Sequence, residues 1–149
     1  MQRNRTIAIL LPFLMTAARA QDYCAPVIPP GTSSGAGIQH VALGGGTPID
    51  RTSYVSEGYV LTGDTTSLLI GAQYTLDVTR TSGPFCSDNN LRAYLDFNGD
   101  QQFNESTETI ALINEGGEGE EHFNFVVPMS ADRGWTRLRI MLKWYQGCG

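Results

Sequence analysis

The 149-residue chain has 41% hydrophobic and 17% charged residues, an ordinary balance that excludes a disordered chain and suits one domain. Seventeen glycines and seven prolines break it into short apolar runs, which argues against a helical bundle. A net charge of −5 disfavours a nucleic-acid partner, because phosphate binding needs basic surface.

Residues 1–20 read as a secretory signal. Arg3 and Arg5 give a positive start, Ile7 to Ala17 an apolar run, and Ala18-Arg19-Ala20 a small-residue cleavage site before Gln21. The apolar run is too short for a transmembrane anchor. Arg3 and Arg5 are not adjacent, and Tyr23 precedes Cys24, so a twin-arginine signal and lipid attachment are both disfavoured. The expected location is secreted, extracellular or periplasmic. Removing the signal leaves 7 basic against 15 acidic residues, a balance of −8. From Asp96 to Glu121 there are eight acids and no Lys or Arg. Such a block stays solvated, meets Arg137, Arg139 and Lys143, or binds cations.

Residues 21–37 form an irregular lead-in rich in Pro, Gly and Ser. Candidate strands then follow from residue 38 to the end of the chain: Ile38–Leu43, Tyr54–Thr62, Ser67–Ile70, Tyr74–Thr79, Leu91–Phe97, Thr109–Ile113, His122–Val127 and Trp135–Tyr145. Leu91, Ala93, Leu95 and Phe97 share one face, as do Leu138, Ile140, Leu142 and Trp144. Eight short strands without a helical period predict an all-β fold, a two-sheet antiparallel β-sandwich of jelly-roll or immunoglobulin-like type.

Chemistry concentrates in residues 96–108. Side-chain oxygens recur at Asp96, Asn98 and Asp100, and Glu108 follows. Calcium takes 6–8 oxygen ligands, and alternate oxygens in a tight loop can converge on one ion. The expected ligands are Asp96, Asn98, Asp100 and Glu108, with a backbone carbonyl near Gln102. The loop departs from an EF-hand: Gln101 stands where Gly is usual, the closing Glu comes one residue late, and no amphipathic helices flank it. Two readings compete with the ion. One is an Asn-Gly/Asp turn that needs no metal. The other is a glycosidase acid–base pair, although carboxylates packed into one loop suit an ion or solvent better than a cleft.

His40 and His122 are isolated, which disfavours a zinc hydrolase. Arg137, Arg139 and Lys143 form a stripe that could grip an acidic glycan. Trp135, Trp144 and Tyr145 are candidates for a sugar-stacking platform, with core burial the competing fate. Asn104-Glu105-Ser106 is a glycosylation sequon. Cys24, Cys86 and Cys148 allow one bridge, and chain entropy separates the alternatives by only about 0.6 kcal/mol, too little to choose.

The order of these features resembles the GEVED domain family of secreted bacterial proteins. The resemblance runs from Tyr23-Cys24 through Ile38–Leu43, Tyr54–Thr62 and Leu69–Val78. It is most specific at Ala93-Tyr94-Leu95-Asp96-Phe97-Asn98-Gly99-Asp100, with Phe103 and Glu108, and continues at Gly134–Ile140 and Cys148. It implies an extracellular β-sandwich without a known active site, and a Cys24–Cys148 bridge that leaves Cys86 over. The chain stops at Cys148-Gly149, where the family's name-giving acidic stretch and terminal strand are expected. An unpaired sheet edge would then invite self-association.

The expected function is a non-catalytic module for adhesion or substrate attachment, steadied by calcium, with a glycan or cell-surface protein as partner. A small secreted glycan hydrolase and a spacer of a larger exported enzyme are the alternatives.

Overall fold

The computed structural model describes residues 23–24, 37–52, 59–81, 89–115 and 117–144. Within them the chain forms seven strands: β1 (Gly37–Leu43), β2 (Ile49–Thr52), β3 (Gln73–Thr81), β4 (Asn89–Leu95), β5 (Thr109–Ile113), β6 (Gly119–Val126) and β7 (Leu138–Trp144). They make two antiparallel sheets, one in the order β2-β1-β3-β6 and the other β5-β4-β7. The fold is the expected all-β two-sheet sandwich.

Period-2 alternation decides what each sheet buries. Leu76 and Val78 of β3 lie fully buried opposite Leu91 and Ala93 of β4, and Leu43, Leu95, Ala111, Phe125 and Val127 complete the core. Leu138, Ile140 and Leu142 of β7 pack against it as expected but remain half-buried. Across the sandwich β1 lies over β7 and β6 over β5. No described strand of the smaller sheet lies beyond β7.

The expected strand boundaries need three corrections. The chain turns at Gly44–Gly46 and returns as β2, pairing Leu43 with Ile49 and His40 with Thr52. That hairpin partner falls at Ile49–Thr52, before the expected second strand. Of the expected Tyr54–Thr62 strand, residues 54–58 lie outside the described residues, and Tyr59–Thr62 is irregular and exposed. Ser67–Ile70 is not a strand either. Ser67 accepts a hydrogen bond from Gly46 N at 2.9 Å, and the segment ends in a turn in which Ala72 N donates to Leu69 O at 3.1 Å. Both segments carry apolar residues, but Tyr59–Thr62 lies exposed, and Ser67 meets the neighbouring hairpin through a single backbone bond rather than a ladder. The signal segment, the lead-in apart from Tyr23, Cys24 and Gly37, and Cys86, Tyr145 and Cys148 lie outside the described residues.

Candidate functional site

Residues 96–108 connect β4 to β5, so Asp96 leaves one strand as Glu108 enters the next. Leu95 N donates to Glu108 O at 3.0 Å and holds the mouth of the loop closed. Since Leu91, Ala93 and Leu95 point into the core, the alternation turns Arg92 and Tyr94 to the outer face of the smaller sheet. The register slips between Ala93 and Tyr94, a bulge that bends the strand pair beside the loop. The loop folds back over this outer face.

Its acids act on the loop's own N–H groups. The Asp96 carboxylate is 1% exposed; Oδ1 accepts from Gly99 N at 2.7 Å, and Oδ2 from Gln101 N at 3.0 Å and from the Tyr23 hydroxyl at 2.5 Å. Glu108 is 2% exposed and accepts from Phe97 N at 3.2 Å and Asn104 N at 2.8 Å. Neither acid has a Lys or Arg ion-pair partner among the described residues. Burial without a counter-charge is costly, so these N–H and O–H donors are what keep both groups in place.

Asn98 and Asp100 are exposed and form a smaller turn. Asn98 Oδ1 accepts from Asp100 N at 3.0 Å, Asp100 Oδ1 accepts from Gln102 N at 2.8 Å, and Asn98 Nδ2 donates to Asp100 Oδ2 at 3.0 Å. The loop therefore gathers Asp96 and Glu108 at its base and leaves Asp100 at its rim. Among the described residues no three His, Cys, Asp or Glu side chains converge as a metal-holding group. An ion in this loop would draw Asp100 inward and use amide and carbonyl oxygens alongside the carboxylates.

Gln101, which stands where an EF-hand loop has Gly, has φ of 70°. The turn after Asp100 thus needs the left-handed conformation that Gly takes without steric cost.

An aromatic layer with two cations covers the loop's base. Phe103 packs between Tyr23 (ring centroids 5.4 Å) and Tyr94 (6.0 Å). Arg137 stacks over Tyr23 at 4.4 Å and Arg139 over Phe103 at 4.3 Å. Arg139 also donates to Cys24 O. Thr136 donates to Asp96 O, and Asp132 N donates to Phe97 O at 2.7 Å, so the segment leading into β7 straps the loop. Burial, followed by the bond to Asp96, pushes the Tyr23 hydroxyl up to about 12.

Tyr23, Tyr94, Phe103 and Thr136 have no place in the ion reading of the sequence, because aromatic and hydroxyl residues carry no metal-ligand spacing. The return of Tyr23 to a loop 73 residues away leaves no local signal. Arg137 and Arg139 do face outward as the alternation predicts, yet they stack on rings instead of meeting the acidic block. Trp135 is 79% exposed, so of its two candidate fates core burial is excluded. Arg92 does pair with an acid of the block, Glu105, at 2.8 Å. His40 and His122 sit on the outer face of the larger sheet, each against a carboxylate: His40 with Asp50 at 2.7 Å and His122 with Asp77 at 2.6 Å. Cys24 is exposed.

Two antiparallel sheets with a hydrogen-bonded acidic loop at a strand junction define a β-sandwich module. The GEVED domain model matches residues 90–148, the span holding this loop, strands β5 to β7 and all of β4 but its first residue. No curated protein and no solved structure matches the chain. Among the described residues no helix is long and apolar enough to cross a membrane.

Proposed function

We propose that the chain is an exported, non-catalytic attachment module whose 96–108 loop is steadied by calcium. The observation that carries the non-catalytic reading is the commitment of Asp96 and Glu108 to backbone N–H groups inside the fold. A glycosidase pair must instead flank a sugar from an open cleft, about 5–9.5 Å apart. Carboxylates already satisfied by fixed donors maintain a shape and do not pass protons to a substrate.

Calcium is favoured by a separate feature of the same pair. Two buried acids on one short loop have no basic partner among the described residues, and a divalent cation offsets their mutual repulsion. Asn98 and Asp100 at the rim and a carbonyl near Gln102 supply the remaining oxygens. The Cys24–Cys148 bridge that the resemblance implies would anchor the residue next to Tyr23; intact-mass analysis under non-reducing conditions tests it.

Attachment is read on a glycan array alongside a glycosidase panel. The expected result is retention on a glycan class without release of reducing sugar. Hydrolysis abolished by Glu108→Gln would overturn the non-catalytic reading, and failure to retain any glycan would move the partner to a cell-surface protein.

A further inference from the structure

Among the described residues four strands end the two sheets, and two of them are long enough to pair with another chain. β2 has four residues and β5 five, whereas β6 has eight and β7 seven. β2 is also flanked by the segment that supplies Asp64 to Arg51 at 2.8 Å. In an antiparallel sheet every second residue of an edge strand turns its N–H and C=O away from the sheet, so β6 and β7 each present a row of pairing groups.

The two edges carry opposite charge. β6 opens with Glu120 and Glu121, and Glu120 stands exposed on its outer face. β7 carries Arg139 on its outer face, with Arg137 just before it, and neither guanidinium has an acid partner among the described residues. Beneath β7, Leu138, Ile140 and Leu142 are only half-buried, while Leu91, Ala93 and Leu95 beside them on β4 are 0–4% exposed. Among the described residues the core is thus less covered at the β7 edge than at β4.

Charge selects among the pairings a second copy could make. β7 on β7 sets cation against cation, and β6 on β6 sets carboxylate against carboxylate; both are unfavourable across strands. β6 on β7 sets Glu against Arg. We infer that β6 of one copy adds to β7 of the next, extending β2-β1-β3-β6 into the neighbour's β7-β4-β5. The junction joins two different edges, so it does not close as a symmetric dimer and leaves one β6 and one β7 free at the ends. The inference rests on edge geometry and charge and is independent of the calcium reading.

Sedimentation velocity of the purified protein over a concentration series tests it, at salt of about 20 mM and about 500 mM, which spans weak to strong screening. The expected result is a mass that climbs past the dimer with concentration and falls back at high salt. Glu120→Lys and Arg139→Glu each stay monomeric. Mixed in equal amounts, they assemble past the dimer again, since every junction between the two variants, native or doubly reversed, sets opposite charges together. Thermal melts followed by circular dichroism confirm that both variants fold; Arg139 also stacks on Phe103, and Glu120→Lys carries the test if Arg139→Glu unfolds. A wild-type monomer throughout, a wild type that stops at a dimer, or variants that assemble like the wild type would each overturn the inference.

Discussion

Tyr23 donates its hydroxyl to Asp96 at 2.5 Å, joining the start of the described chain to a loop 73 residues later. The bond completes three donors around a carboxylate that is 1% exposed. It also fixes the ring between Phe103 and Arg137, so one side chain ties the acidic loop to the aromatic layer.

Tyr23→Phe keeps the ring and removes the donor. The Asp96 carboxylate loses one of three partners, at a cost of about 1–3 kcal/mol for a bond to a charged group. Urea unfolding of the two proteins reads the difference. The pH profile supplies a second reading. Tyr23 ionises at about 12 in the folded protein against 10.0 as its ordinary value, so its contribution is complete below pH 10 and is lost as pH rises through 12. The variant lacks the titrating hydroxyl and has no such alkaline loss, so its stability curve should run flatter than the wild type's between those limits.

Glu108→Ala leaves Phe97 N and Asn104 N without their acceptor beside a filled core. Two orphaned donors in a part-buried loop destabilise by about 2–4 kcal/mol. A shift of the urea midpoint with an unchanged slope is the expected signature.

Gln101→Gly goes the other way. A side chain at φ of 70° costs about 1–2 kcal/mol, and Gly recovers that less the greater freedom of its unfolded chain. The net expectation is a stabilisation of about 0.5–1 kcal/mol. A rise in melting temperature shows it; a fall would mean that the Gln101 side chain contributes contacts worth more than the strain.

His122 faces Asp77 across β6 and β3, and that hydrogen bond, opposed by desolvation and aided by Glu120 and Glu121, raises the imidazole above 6.5. A raised value means the charged pair stabilises the fold below pH 6.5, and this support is lost as pH rises through the folded value. Proton NMR titration should place His122 above 6.5 in the wild type and lower in Asp77→Asn.

Alternation made the sandwich legible. Leu91–Phe97, Thr109–Ile113 and Trp135–Tyr145 read as strands because one face of each is apolar and the other is not; β4, β5 and β7 form there, with Phe97 and residues 135–137 left outside the ladders. The β1–β2 hairpin was hidden, since Ile49-Asp50-Arg51-Thr52 is short and has one aliphatic residue. Tyr59–Thr62 and Ser67–Ile70 misled because apolar residues in them pack or lie exposed without a ladder. In the loop, residue spacing identified the acids, but chain spacing says nothing about burial. Asp96 and Glu108 sit at the base because they are the residues that leave β4 and enter β5, while Asp100 lies at the tip of the turn. The closing of that base by Tyr23 and Thr136 comes from distant segments and has no local pattern.

Heating the purified protein in millimolar calcium and again in excess chelator tests the calcium-steadied loop most directly. The account predicts a higher melting temperature with calcium, a gain that disappears in Asp100→Ala. Superimposable wild-type curves in the two buffers would contradict it and leave the loop held by its own N–H donors alone.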